Sequence, residues 1–222
     1  MRNIDYNNFV RKEHLNKQKK KFFTRIFKKA LDDINFRLTH ESEDTLQVLS
    51  KNFKFNFNQQ DLKKFKKFKS IVIIGMGGSI LGAEAIYQFL NKKIKKNVYF
   101  INDIDDKKIL NIKKKLLINK TLFIIISKSG NTIETLSNLF YLKIIKKNAK
   151  NVIIISEKKN NQLYALSKKL NLFFIEHKHF IGGRYSVLSE VGIIPAYLMG
   201  LDVNKLRSNI TGVLKKNKMP LR

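Results

Sequence analysis

From residue 71 onward, short runs of β-branched and other apolar residues alternate with segments in which apolar residues recur every three or four positions. The short runs are typical of buried strands, and the longer spacing is typical of helices. Strands that alternate with helices of about ten residues form parallel sheets with helices on both faces. The sequence therefore predicts an α/β fold with a doubly wound, parallel, five-stranded sheet. Its strands are predicted at 71–74, 98–101, 122–126, 152–155 and 172–175.

The turn after the third predicted strand is rich in hydroxyl groups. Ser127, Ser129 and Thr132 lie in it, and Ile133 and Phe140 belong to the apolar stripe of the helix that follows. The free N–H groups and the positive dipole end of a helix N-terminus bind anions. We interpret this turn as a phosphate-binding loop. The alternative is an ordinary turn with a helix cap, which uses the same residue types.

A glycine-rich turn, Gly75–Ser79, follows the first predicted strand. Three glycines in four positions suit a backbone that approaches a ligand closely. The turn lacks the spacing of the dinucleotide fingerprint, and it lacks the Gly-Lys-Ser/Thr end of a nucleotide phosphate loop. The sequence therefore disfavours NAD and nucleotide sites. Because ligands of parallel sheets bind at the carboxyl ends of the strands, we expect this turn and the hydroxyl-rich turn at one edge.

The chain is strongly basic, with 45 Lys and Arg, 17 Asp and Glu, and a net charge of +28. A charge of this size suggests a nucleic-acid partner. The charge is spread evenly, however, with net +10 over the first 70 residues and +18 over the remaining 152. Lysine outnumbers arginine 38 to 7, as an A/T-rich genome would produce. We therefore predict no nucleic-acid partner.

The composition also bears on location and chemistry. The sequence contains no cysteine, so disulfides and thiolate chemistry are excluded. No stretch approaches the ~20 apolar residues of a membrane span, and none resembles a signal peptide. We predict a cytoplasmic protein with no membrane partner. The Asp and Asn residues of 102–106 have no His or Cys beside them, so we interpret them as a helix cap and predict no metal site.

The amino-terminal third has a different pattern. It contains no glycine, no proline and no recognisable chemistry. Phe22 and Ile26 belong to an apolar series at a spacing of four, which predicts an amphipathic helix. Asp61 is a candidate cap for a second, short helix. We expect this helical extension to pack on the α/β domain. The predicted divisions are 1–69 for the extension, 70–203 for the α/β domain and 204–222 for the start of a following segment.

A histidine- and glycine-containing segment follows the fifth predicted strand. His177 and His179 have no third ligand nearby in the sequence, and we interpret both as surface residues. Arg184 follows two glycines and is one of only seven arginines. In a lysine-rich chain, a retained arginine indicates that its planar, forked guanidinium is needed. A helix is predicted from Glu190 to Leu198.

Three motifs now stand in a fixed order along the chain. They are Gly-Met-Gly-Gly-Ser-Ile-Leu-Gly at 75–82, Ser-Lys-Ser-Gly-Asn-Thr-Ile-Glu-Thr at 127–135 and Gly-Gly-Arg-Tyr-Ser-Val-Leu-Ser-Glu-Val-Gly at 182–192. In this order and separation they resemble the glucose-6-phosphate isomerase (phosphoglucose isomerase) family, over about residues 70–200. The resemblance implies interconversion of glucose 6-phosphate and fructose 6-phosphate through an enediolate. It also implies flavodoxin-like sugar-isomerase (SIS) subdomains, a homodimer at full length, and no metal or organic cofactor.

The resemblance further implies roles for individual residues. Arg184 would face the negative charge of the enediolate, and Glu134 would support the site. The sugar end would be contacted by Gly78 and Ser79. The sugar phosphate would be held by the loop of Ser127, Lys128 (through its backbone), Ser129, Gly130, Asn131 and Thr132.

One departure from the family bears on activity. The catalytic base of the family is a glutamate in a later Glu-Ser-Asn-Gly-Lys type motif, and no such motif occurs in this sequence. Isomerisation needs a base within reach of C1 and C2, so the chain resembles the phosphate-binding half of an isomerase. We expect little or no activity from the chain alone. The alternative function is a sugar-phosphate-binding SIS module that regulates without catalysis.

Overall fold

A computed structural model describes residues 16–40, 43–210 and 212 of the chain. Its strands are β1 Ser70–Ile74, β2 Asn97–Ile101, β3 Thr121–Ile126, β4 Val152–Ser156 and β5 Phe173–Glu176. They form one parallel sheet in the order β2-β1-β3-β4-β5. The predicted five-stranded, doubly wound α/β fold is confirmed. The order is the flavodoxin-like one, in which the connections change direction between β1 and β3.

Helices connect and flank these strands. The α-helices are α1 Lys17–Thr39, α2 Gln59–Leu62, α3 Leu81–Leu90, α4 Asp106–Lys115, α5 Ile133–Leu142, α6 Gln162–Leu170, α7 Glu190–Leu198 and α8 Val203–Arg207. Shorter 3₁₀ turns lie at Thr45–Leu49, Lys63–Phe65, Gly77–Ser79, Asn91–Lys93, Ile118–Lys120 and Gly183–Leu188. The predicted divisions 1–69 and 204–222 extend into ranges outside the described residues.

The sheet has an apolar core on each face. Successive strand residues point to opposite faces, so Ile71 and Ile73 pack with α7 on one side, whereas Val72 and Ile74 pack on the other. Every residue of α7 is buried, including Pro195 within it. Because both faces are covered, the strands are nearly continuous apolar runs, as is typical of parallel sheets.

The amino-terminal helix is present as predicted, but its packing is not. No side chain of α1 is buried, and Phe22 and Ile26 are 53% and 48% exposed. At the end of the helix Arg37 pairs at 2.6 Å with Asp44, which caps the 3₁₀ turn Thr45–Leu49. The later part of the extension does pack as expected, since Leu62 and its neighbours Phe65 and Phe68 enter the core. The predicted packing is therefore wrong for α1.

Two local predictions also need correction. Asn58, not Asp61, caps α2, because its side chain accepts a hydrogen bond from the Gln60 amide. On α5, half of the predicted stripe of Ile133, Leu136, Phe140 and Ile144 is turned outward. Ile133 is 73% and Phe140 57% exposed, whereas Leu136 and Ile144 pack in the core. The buried face of that helix carries Leu139 and Leu142, together with the polar Thr135 and Asn138. Packing against the sheet, and not spacing alone, decides which face is covered.

Candidate functional site

The two polar turns singled out in the sequence meet at one edge of the sheet. The glycine-rich turn follows β1 and the hydroxyl-rich turn follows β3, and these strands are direct neighbours. At Gly75 an added Cβ would lie 2.9 Å from the carbonyl oxygen of Ile126, so the two strand ends are in backbone contact. This edge, at the switch point between β1 and β3, is where parallel α/β sheets bind ligands.

Three hydroxyl groups converge in the turn after β3. The Thr132 hydroxyl lies 2.9 Å from that of Ser127 and 3.4 Å from that of Ser129, and the two serine hydroxyls are 3.5 Å apart. Thr132 is also the N-cap residue of α5, but its side chain makes no capping hydrogen bond. The hydroxyl cluster therefore lies at the N-terminus of α5, and the Thr132 side chain does not cap the first amides of that helix. An anion placed there meets both the hydroxyls and the helix dipole.

Gly130 and Asn131 shape this turn. Gly130 has φ +70°, and an added Cβ would lie 1.9 Å from Oδ1 of Asn161, so glycine is required on both counts. The side-chain oxygen of Asn131 accepts a hydrogen bond from the Gln162 amide at 2.9 Å. Asn161 itself caps α6. The turn after β3 is thus fastened to the start of α6.

Lys128 points away from the hydroxyl cluster. Its ammonium group donates to the His179 carbonyl oxygen at 2.7 Å and lies 3.5 Å from the Glu157 carboxylate. Burial alone would raise the pKa of Glu157, but Lys159 and Lys128 outweigh it and hold that pKa below its ordinary value. A contribution of Lys128 through its backbone, as expected from the sequence, is compatible with this geometry.

The two histidines have different environments. His179 is exposed, as predicted, and its Nε2 lies 3.0 Å from the Glu43 carboxylate. His177 is 2% exposed, so its interpretation as a surface residue is wrong. Burial, with a smaller contribution from the nearby Lys128 charge, lowers the pKa of His177. Its position directly after β5 buries it within range of the Lys128 charge, which spacing along the sequence did not reveal.

A backbone-to-backbone junction joins the first and third motifs. An added Cβ at Gly78 would lie 2.4 Å from both the carbonyl carbon and oxygen of Gly183, and 2.8 Å from the amide nitrogen of Arg184. The Ser186 hydroxyl strengthens the junction by bonding to the Gly183 carbonyl oxygen at 2.6 Å and to that of Gly78 at 3.2 Å. The close contact with this second loop therefore requires glycine at position 78.

The junction presents Arg184 at the surface of the site. Its side chain is exposed, and within the described residues its guanidinium has no hydrogen-bond or ion-pair partner. Glu134 is also exposed, in the first turn of α5, where a carboxylate is favoured by the dipole. An arginine with a structural role would be hydrogen-bonded or ion-paired with its surroundings, so Arg184 is available for an anion.

Sequence reasoning missed several residues that build this site. Ser186 and Asn161 each hold a loop in place, and Thr45 bonds to the loop before Arg184 from 135 residues away in the sequence. Serine, asparagine and threonine are common in turns and caps, so nothing local distinguishes these three. Only Ser186 lay inside a recognised motif.

The comparison with protein families agrees with the motifs. The family model described as phosphoglucose isomerase matches residues 40–213. The chain belongs to the phosphoglucose isomerase family. It is 36% identical over 154 residues to glucose-6-phosphate isomerase of Methanocaldococcus jannaschii, an alignment that covers 68% of this chain and 38% of the relative. It is 42% identical over 143 residues to the enzyme of the same name from Borreliella afzelii, covering 58% of this chain and 26% of the relative.

A solved structure has the same fold. The hypothetical protein TT0462 from Thermus thermophilus aligns with a TM-score of 0.70 at 24% identity, covering 90% of this chain and 51% of that one. The curated relatives are longer than the matched region, since the alignments span 38% and 26% of their lengths.

The part of the chain that the structure describes has neither a membrane-spanning helix nor a cluster of metal ligands. Among the residues that the structure describes, no helix combines the length and apolar character needed to cross a bilayer. Over the same residues, no three His, Asp or Glu side chains lie together as a metal-binding group. Asp105 caps α4 by accepting a hydrogen bond from the Lys108 amide at 3.0 Å, as the cap interpretation of 102–106 predicted.

Proposed function

We propose that this chain binds a hexose 6-phosphate at the carboxyl edge of β1 and β3, as the phosphate-binding and enediolate-binding half of a glucose-6-phosphate isomerase. The observation that carries the proposal is the convergence of the Ser127, Ser129 and Thr132 hydroxyls at an uncapped helix start. The family membership supports the choice of ligand.

Each part of the site has a proposed role. The three hydroxyls and the amides of the same loop, Lys128 to Thr132, hold the phosphate. Gly78 and Ser79 contact the sugar end. Arg184 faces the enediolate, whose two oxygens match its forked guanidinium. Glu134 supports the phosphate loop from the first turn of α5.

The base that moves the proton between C1 and C2 is not supplied by these residues. Glu190 is fully buried, with Oε1 accepting from the Asn56 amide at 2.8 Å, so substrate does not reach it. Burial raises the pKa of Glu190, against the effect of that hydrogen bond. Glu134 stands at the phosphate end of the site. We therefore propose that this chain alone binds substrate but isomerises it little or not at all.

The remaining proposals follow from the family. The reaction needs no metal or organic cofactor, because a base and an anion-stabilising arginine suffice for enediolate chemistry. The enzyme would act in glycolysis and gluconeogenesis, in the cytoplasm, and as a homodimer when a full isomerase is assembled.

Calorimetric titration with fructose 6-phosphate tests the ligand. We expect saturable binding in the millimolar range or tighter, which corresponds to about 4 kcal/mol or more. Ser129→Ala should weaken binding about tenfold or more, because a charge-assisted hydrogen bond to the phosphate is lost. Ser137→Ala is the matched control, since Ser137 is exposed on the same helix α5 and away from the turn. Absence of binding at millimolar ligand would contradict the proposal.

A coupled assay of fructose 6-phosphate conversion tests the missing base. Turnover near that of an ordinary enzyme, about 10 s⁻¹, would show that the chain carries its own base. Binding without turnover, even when a complementary isomerase segment that carries the base motif is added, would favour the regulatory SIS module instead.

A further inference from the structure

The loop that carries Arg184 is held from outside the α/β domain. The Thr45 hydroxyl donates to the carbonyl oxygen of Phe180 at 2.7 Å and accepts from the amide of Gly182 at 3.2 Å. One side chain thus bridges both ends of the turn that precedes Gly183 and Arg184. Ile181, between Phe180 and Gly182, is fully buried and anchors the turn in the core.

The far end of the same loop is tied to the same amino-terminal segment. The Arg207 guanidinium donates to the carbonyl oxygen of Leu188 at 2.6 Å and to that of Ser50 at 3.0 Å. Thr45 begins and Ser50 follows the 3₁₀ turn Thr45–Leu49. Thr45 therefore bonds directly to the arginine loop, and Ser50 is linked to the end of that loop through Arg207.

These contacts hold the loop on both sides of Arg184. Its backbone rests on Gly78 on one side, and the turn before it is fixed by Thr45 on the other. Its side chain is exposed and has no polar partner within the described residues. The backbone that Thr45 holds lies two residues before Arg184.

We propose that Thr45 is a positioning residue for Arg184, and that its hydroxyl sets the alignment of the guanidinium with an anionic enediolate. This inference rests on the proposed function for its ligand. A hydroxyl is needed because the position must donate to one main-chain group and accept from another. Valine has the same shape and can do neither, whereas serine can do both.

Hydrogen exchange of the ligand-free chain tests the contact itself. In Thr45→Val the Gly182 amide loses its acceptor, so we expect its exchange to accelerate about fivefold or more. Thr45→Ser should restore slow exchange. Thr24→Val is the matched control, because its hydroxyl bonds only to the Lys20 carbonyl oxygen within exposed α1. This measurement stands whether or not the chain binds a sugar phosphate.

Ligand affinity tests the positioning role. We compare a phosphorylated aldonic hydroxamate, which mimics the enediolate, with fructose 6-phosphate on all four proteins. Thr45→Val should weaken the mimic about fivefold and leave fructose 6-phosphate within about twofold, since the phosphate loop is untouched. Thr45→Ser and Thr24→Val should resemble the unmutated chain.

Three outcomes would overturn the inference. They are unchanged exchange of the Gly182 amide in Thr45→Val, an equal loss of affinity for both ligands in Thr45→Val, and failure of Thr45→Ser to restore slow exchange or affinity for the mimic. A general loss of stability would weaken both ligands alike and so is separated from positioning. If the unmutated chain binds neither ligand, the proposed function fails, and the exchange comparison alone still decides whether Thr45 holds the loop.

Discussion

The two halves of the site are built by different physical means. The junction of Gly78 with Gly183 is a contact of backbone against backbone, with no space for even one methyl group. The hydroxyl cluster of Ser127, Ser129 and Thr132 is a set of side chains bonded to one another at 2.9 to 3.5 Å. The first is defined by shape and the second by exchangeable hydrogen bonds.

This difference separates rigidity from ligand binding. A shape contact cannot change partners, so the junction fixes where the backbone of Arg184 lies. Hydroxyl hydrogens rotate, so the cluster can exchange its internal hydrogen bonds for bonds to phosphate at little cost. Substitutions in the junction should therefore affect folding first, and substitutions in the cluster should affect phosphate binding first.

The largest effect is expected at the junction. Gly78→Ala places a methyl group 2.4 Å from the Gly183 backbone, which cannot move aside as a flexible side chain would. We expect a loss of about 3 kcal/mol in the free energy of unfolding, at the upper end for overpacking. Chemical denaturation monitored by circular dichroism measures this change.

Gly183→Ala is the matched control on the opposite side of the same junction. Its added Cβ meets nothing within 4 Å, so the free energy of unfolding should change by no more than about 0.5 kcal/mol. Similar losses in both variants would show that the junction is not the rigid, shape-defined element described above.

The next effect separates the two halves by their ligands. Arg184→Lys keeps the charge and loses the fork that pairs with two oxygens, so binding of the phosphorylated hydroxamate should weaken by about 1–3 kcal/mol. Fructose 6-phosphate, held by the hydroxyl cluster, should change much less. Calorimetric titration of the two ligands against both proteins provides the measurement.

Equal weakening of the two ligands would refute the assignment of Arg184 to the enediolate. Unchanged affinities with a lower melting temperature would make the residue structural. Neither result is expected from a side chain that is exposed and has no polar partner among the described residues.

The smallest effect concerns the buried histidine after β5, His177. Burial lowers the pKa of His177 in the folded chain below its ordinary 6.5, so the unfolded chain binds its proton first as pH falls. The stability contributed by the neutral histidine is present above about pH 6.5 and is lost as pH falls through the folded-state pKa. His177→Gln should flatten the dependence of the melting temperature on pH in this window.

His179→Gln is the control for that comparison, because His179 is exposed. Because His177 is unchanged in this variant, the pH dependence that His177 causes should remain. If His177→Gln also follows the unmutated profile, the buried histidine does not contribute to acid sensitivity.

Much of this protein could be predicted from local pattern. Five apolar runs gave five strands, and helices α3, α6 and α7 lie where spacing placed them. The hydroxyl-rich and glycine-rich turns were expected at one edge, and β1 and β3 are neighbours there. These features are local because a strand or a helix is selected by the period of its own apolar residues.

The sequence by itself therefore determined the fold class, the family and the identity of the polar turns. Only the tertiary structure decided that Gly78 faces Gly183, that His177 is buried, that α5 turns Leu139 to the core, and that α1 leaves Phe22 exposed. Only the tertiary structure also brings Thr45 to its hydrogen-bond partners, which lie 135 and 137 residues away in the sequence. The physical reason is that burial and loop contact depend on which distant segment occupies the space beside a residue. The period and composition of a segment do not contain that information.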